Sequence, residues 1–150
     1  MKVCVGGTFD ILHKGHKKLI SEAFKIAGKG GFVSIGLSNG KLIENKKNVR
    51  SWQIRKKNLK YFILEKNYSS NFKIISITDI YGPTLDEDFD AIIVSTGTEK
   101  NANKINKKRK EVGKKPLKII KIPYVLAKDN KPISSTRIKN KEIDEEGNAL

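Results

Sequence analysis

Apolar and polar positions along the chain follow two alternating periods. Short apolar runs at Lys2–Gly6, Phe32–Ser38, Lys73–Asp79, Ala91–Ser95 and Leu117–Ile122 predict five strands. The unbroken run Ala91-Ile92-Ile93-Val94 is the pattern of a strand buried on both faces of a parallel sheet. Between the runs the spacing becomes helical. Lys14–Ala27 carries Leu19, Ile20, Ala23, Phe24 and Ala27 on one face and lysines on the other, and Gly28, Gly30 and Gly31 end it. Ser51 caps a predicted helix over Trp52–Lys66 with the stripe Trp52, Leu59, Phe62 and Ile63. Thr98–Val112 reads as a basic helix with the weaker stripe Ala102, Ile105 and Val112, stopped by Gly113. Ser134–Lys139 opens a last short helix. Lys41–Asn48 is a polar, lysine-rich loop, Tyr81-Gly82-Pro83-Thr84 a turn, and Lys141–Leu150 a polar, irregular C-terminal tail.

Strands joined by helices predict an α/β domain with a five-stranded parallel sheet, right-handed crossovers and helices on both faces. At 150 residues one domain is expected, residues 1–140 with the tail 141–150 beyond it. Ligands of such sheets bind outside the carboxyl ends of the strands. The loops after the first, second, fourth and fifth strands are therefore the places to look for chemistry.

Composition changes this picture in three ways. The single cysteine, Cys4, excludes a disulfide framework and a multi-Cys metal site. No apolar run approaches a membrane span and Met1–Gly6 has no signal-peptide core, so the expected setting is the cytoplasm, with no membrane partner. The net charge of +15 suggests a polyanionic partner, yet it comes from 27 Lys and only 4 Arg. Defined phosphate geometry favours the Arg fork, and a Lys- and Ile-rich chain matches a thermophile-type surface. The charge is read first as compositional, and no nucleic-acid partner is expected.

Three segments carry candidate chemistry. The first is Gly6-Gly7-Thr8-Phe9-Asp10-Ile11-Leu12-His13-Lys14-Gly15-His16, which holds both histidines of the chain at the ligand end of the first strand. Its glycines permit close backbone approach, and the helix start that follows offers free N–H groups to a phosphate. A turn merely decorated by histidines is the competing reading, and a His-x-x-His metal site lacks a completing shell, so no metal ligand is assigned. The second segment is Ser38-Asn39-Gly40-Lys41, where Lys41 lies nearest the strand, ahead of Lys46 and Lys47. The third is Pro132-Ile133-Ser134-Ser135-Thr136-Arg137-Ile138, three hydroxyls and a cation at a helix start. Asp10 reads as structural.

GTFDILHKGH is similar to the first signature of the nucleotidyltransferase superfamily, which shares its His-x-Gly-His motif with class I aminoacyl-tRNA synthetases. ISSTRI resembles the superfamily's second signature. Together they span roughly residues 2–140, one Rossmann-like domain. Within the superfamily the chain most resembles the archaeal-type pantetheine-phosphate adenylyltransferases, through Tyr81-Gly82-Pro83-Thr84, the strand running into Ser95-Thr96, and Lys131–Arg137. The resemblance implies transfer of AMP from ATP to 4′-phosphopantetheine by in-line attack without a covalent intermediate, giving dephospho-CoA and pyrophosphate in coenzyme A synthesis. It implies His16 and His13 as catalytic groups on the α-phosphate and its neighbours. It implies Thr8, Phe9 and Lys41 around the acceptor's phosphate. For ATP it implies Gly7, His16, Ser134, Ser135, Thr136 and Arg137, with Mg²⁺ carried by the nucleotide. A homo-oligomer is left open.

Other members of the superfamily, cytidylyltransferases or enzymes like FAD synthetase, are the alternatives. The Arg-Thr-x-Gly-Ile-Ser run of the cytidylyltransferases is replaced here by Asp129-Asn130-Lys131-Pro132-Ile133-Ser134. A lysine-rich nucleic-acid-binding module is a different class. With 7% aromatic residues and no basic–aromatic interleaving, it has little beyond charge to support it.

Overall fold

In the computed structural model, which describes residues 1–150, five parallel strands form one sheet in the order β3-β2-β1-β4-β5. They are β1 (Lys2–Gly7), β2 (Phe32–Ser38), β3 (Asn71–Ile77), β4 (Ala91–Ser95) and β5 (Lys118–Ile122). Four helices connect and follow them: α1 (Lys14–Ala27), α2 (Trp52–Lys66), α3 (Glu99–Glu111) and α4 (Ser135–Lys139). The predicted α/β, all-parallel architecture with helices on both faces is the one observed. No helix is long and apolar enough to cross a membrane.

The strand pleat decides which side chains meet which helices. Val3 and Val5 of β1, Val33, Ile35 and Leu37 of β2, and Ala91 and Ile93 of β4 face α1 and α2, where Ile20, Phe24, Leu59 and Ile63 cover them. Cys4 of β1 and Ile92 and Val94 of β4 face the other side, where Ala102 and Ile105 of α3 close a second core. Strand order reverses at β1, whose neighbours are β2 and β4. The crevice outside its carboxyl end is therefore where a ligand should sit.

Four local readings differ from the sequence expectation. β3 begins at Asn71, two residues early, because Asn71 donates its N–H to Gly31 at the start of the β2 ladder. In α2, Arg55 is fully buried on the same stripe as Leu59, Phe62 and Ile63. In α3, Arg109 takes the stripe position next to Ala102 and Ile105, and Val112 is 52% exposed. The segment 141–150 is folded rather than irregular. Ile143 bridges Ala149 and packs with Ala127 and Ile133, and the Lys14 N–H at the start of α1 donates to the Glu145 carbonyl.

Candidate active site

The loop from β1 to α1 turns on a residue that is not glycine. Phe9 has φ 46°, a left-handed conformation that costs an ordinary residue about 1–2 kcal/mol. Its ring is 1% exposed, and its burial in the main core offsets that strain. The ring also meets the edge of His16, with centroids 5.1 Å apart. The turn lifts Thr8 and the two histidines above the end of the sheet.

His13 is the N-cap of α1, and its Nδ1 accepts from the N–H groups of Gly15 (3.0 Å) and His16 (3.3 Å). His16 directs Nδ1 at the Ile11 carbonyl, 2.9 Å away. A carbonyl only accepts, so this Nδ1 carries the proton. The rings stack with centroids 3.7 Å apart and 20° between planes. Gly15 permits the stack: a Cβ there would lie 2.9 Å from Cε1 of His13. Burial pulls the pKa of His13 down to about 4. Burial, and then the neighbouring His13, pulls His16 down to about 3. Both rings are thus neutral at pH 7, and each has Nε2 left for a ligand.

The second signature arrives beside the first. Ser134 caps α4 by accepting from the Arg137 N–H. The Ser135 hydroxyl points at the Ile11 carbonyl, 3.5 Å away, the same oxygen that holds His16. Lys139, one turn further on, pairs with Asp10 and donates to the Asn48 carbonyl at 2.9 Å. Asp10 is 3% exposed and also takes the N–H and Nε of Arg50 at 3.0 and 3.2 Å, and these partners hold its carboxyl below the usual carboxylate range despite burial. Asp10 is the structural knot expected of it, tying the β1 loop to the lysine-rich loop and to α4.

These groups line one cavity of about 1010 Å³ at the carboxyl end of β1. Gly7, Thr8, Phe9, His13, His16, Ser134, Ser135 and Thr136 all reach its wall. Two residues predicted for the site do not. Lys41 is exposed in a 3-10 turn (Gly40–Leu42) and lies outside the wall. In its place Lys46 donates to the Thr8 hydroxyl at 2.7 Å. Arg137 is bound to Asp129 and Glu142 and to the Pro132 carbonyl (3.0 Å), again outside the wall. The reason is helical geometry. Ser135 and Lys139 are four residues apart and share a face of α4, whereas Arg137 lies about 200° round from Ser135. That spacing was the available signal for Lys139. The wall holds three lysines (Lys46, Lys47 and Lys139) against one carboxylate, Asp10. It is a basic chamber able to hold several phosphates, with all four arginines engaged inside the protein.

The cavity continues onto the sheet face opposite α1 and α2. There Cys4, Gly6 and Ser34 form the floor, the Ile77 side chain packs onto Gly36, and the loop Ile80–Thr84 forms a wall. Ser34 is 1% exposed and its hydroxyl has no partner. Cys4 donates weakly to the Ala91 carbonyl, and burial pushes its thiol up to about 12, so it is chemically inert.

Comparison with known proteins agrees with this geometry. Residues 4–141 match the family model described as cytidylyltransferase-like. A phosphopantetheine adenylyltransferase of Archaeoglobus fulgidus is 44% identical over the whole of both chains. One from Methanosarcina mazei is 46% identical over 97% of this chain and 95% of that protein. A crystal structure of an Archaeoglobus fulgidus protein of unknown function, 41% identical, superposes with a TM-score of 0.73 over 81% of this chain and 89% of the other. With both signatures converging on the cavity at β1, and full-length identity at this level, the chain belongs to the cytidylyltransferase-like family and, within it, to the archaeal-type phosphopantetheine adenylyltransferases.

Proposed function

We propose that the chain transfers the adenylyl group of ATP to 4′-phosphopantetheine, giving dephospho-CoA and pyrophosphate, and that the cavity divides between the two substrates. The observation that supports this division is the meeting of the two signatures at the Ile11 carbonyl and Asp10, which brings the candidate phosphate-binding groups of both segments to one cavity. An acceptor phosphate oxygen attacks the α-phosphorus of ATP. The bond from that phosphorus to the bridging oxygen breaks, and pyrophosphate leaves with the electron pair. No group of the protein becomes covalently bound, so its contribution is placement and charge.

The acceptor's phosphate fits the Thr8 hydroxyl, the Phe9 N–H and Lys46, with Lys46 in the role predicted for Lys41. Its pantetheine arm fits the part of the cavity between Gly6, Ile77 and the loop Ile80–Thr84. The nucleotide's phosphates fit the free N–H groups and hydroxyls of Ser134, Ser135 and Thr136, with Gly7 close by and His16 at the α-phosphate. His13 presents a neutral Nε2–H beside it. Lys139 is the cation that α4 turns inward.

Mg²⁺ enters with ATP. No cluster of three or more His, Cys, Asp or Glu is placed to hold a metal, and Asp10, the carboxylate on the wall, is taken by Arg50 and Lys139. When bound with the nucleotide, the ion would supply charge to the phosphates and keep most of its waters.

Isotope exchange tests the absence of a covalent intermediate. Labelled pyrophosphate should enter ATP only when dephospho-CoA or phosphopantetheine is present. Exchange with ATP alone would reveal an adenylylated protein and contradict the direct transfer.

A further inference from the structure

Arg55 is the most deeply buried charge in the molecule, 0% exposed, and no carboxylate oxygen lies within ion-pairing distance of it. A buried guanidinium without a counter-ion is expensive unless its donors are used. Here they are used on three backbone carbonyls from three different segments. Nε donates to Arg50 at 2.8 Å, and Nη1 to Thr8 at 3.1 Å and Ser38 at 2.8 Å. These segments are the loop after β1, the end of β2, and the end of the loop that carries Lys46. Nη2 is buried without an acceptor.

The Thr8 contact has a consequence for the site. The Thr8 carbonyl and the Phe9 N–H belong to one planar trans peptide and point in opposite directions. When Arg55 draws the carbonyl under the loop, the Phe9 N–H is turned outward. That N–H donates to no group of the protein. The same grip supports the left-handed φ of Phe9. The Arg50 contact fixes the far end of the loop whose Lys46 meets the Thr8 hydroxyl.

We propose that Arg55 is a positioning residue for the acceptor's phosphate: through the Thr8, Ser38 and Arg50 carbonyls it aims the Phe9 N–H and sets Lys46, while its own charge supports the dianion from beneath. The inference rests on the reading that Thr8, Phe9 and Lys46 hold that phosphate. Arg55 lies off the cavity wall, and it differs from a purely structural arginine in acting on one substrate only.

Arg55→Lys keeps a charge but not the fork that reaches three carbonyls. It should raise KM for 4′-phosphopantetheine tenfold or more and leave KM for ATP within twofold, in protein whose circular dichroism is unchanged. A merely structural role would lower the active fraction, and hence kcat, without moving either KM, and an unmoved acceptor KM overturns the proposal. Should Arg55→Lys fail to fold, the wild-type protein gives the answer. In ¹⁵N-labelled protein, titration with 4′-phosphopantetheine should shift the Arg55 Nε–H and Phe9 amide resonances together, and an Arg55 signal that stays in place contradicts the proposal. Lys46→Ala separates the two levels. If it leaves acceptor KM unmoved, the phosphate reading itself fails. If it raises that KM while Arg55→Lys does not, only the role of Arg55 fails.

Discussion

The imidazoles of His13 and His16 stack 3.7 Å apart, and each has its Nδ1 committed to the backbone of its own loop. His13 caps α1 as an acceptor, so it cannot take a second proton without losing the cap. His16 donates from Nδ1, so its Nε2 is bare in the neutral ring. Two imidazolium ions cannot share this stack at low cost. The pair therefore carries one extra proton at most, and its place is Nε2 of His16, next to a polyphosphate.

Proton uptake on ATP binding follows from that arrangement. Calorimetric binding enthalpies of the nucleotide at pH 7.5, compared between buffers of different ionisation enthalpy, should show greater proton uptake by the wild type than by His16→Ala. The same variant should lose on the order of a hundredfold or more in kcat, as removal of a transition-state donor does, while keeping its fold. Equal proton uptake in both proteins, or near-normal turnover, would remove His16 from its role.

Stability should depend on pH through the same rings. The His13 pKa is about 4 in the folded chain against an ordinary 6.5, because burial disfavours its charge. Between those values the unfolded chain binds more protons. The contribution is therefore complete above pH 6.5 and lost as pH falls toward 4. His13→Asn retains a side-chain oxygen that can cap α1, so its Tm should fall less steeply than the wild type's from pH 7 to 4.5. Identical slopes would show that the ring does not titrate in this way.

Arg137 and Lys139 exchange the importance the sequence suggests for them. Arg137 is tied to Asp129 and Glu142, and Lys139 faces the cavity. Lys139→Ala should raise KM for ATP about tenfold. Arg137→Ala should leave it within two- to threefold and lower Tm by a few degrees through the loss of its ties. Steady-state kinetics on the two variants decide the matter.

Lys46 and Lys41 allow a matching comparison on the acceptor side. Lys46→Ala removes the ammonium on the Thr8 hydroxyl and should raise KM for phosphopantetheine tenfold or more. Lys41→Ala, at an exposed position off the cavity wall, should leave both KM values unchanged. The opposite ranking would restore the expectation drawn from distance along the chain.

The parallel sheet was legible because β4 is an unbroken apolar run and α1 carries a clean stripe; β1, α1, β4 and both signature loops lie where periodicity and glycines put them. What stayed hidden was direction and long-range pairing. Lys41 is nearest to β2 in sequence, but the chain leaves through a 3-10 turn and returns with Lys46. Arg137 follows the serines, but a helix sends it away from them. Arg55 and Arg109 were passed over in the sequence, although each sits on an apolar stripe, a local conflict that marks a buried cation once the carbonyls it serves are known. The C-terminal segment looked too polar to pack, but Ile143, the Asp144–Asn148 turn with its 2.8 Å bond from the Asn148 N–H, and backbone bonds from Lys14 to Glu145 and from Lys128 to Gly147 hold it in place.

Transfer of an adenylyl group to 4′-phosphopantetheine is tested most directly by its products. Pyrophosphate release should be measured with ATP and with CTP, each offered 4′-phosphopantetheine, glycerol 3-phosphate or FMN. Rapid release with ATP and 4′-phosphopantetheine alone, with dephospho-CoA formed in equal amount, is the predicted result. Faster release with CTP, or with either of the other acceptors, would contradict it.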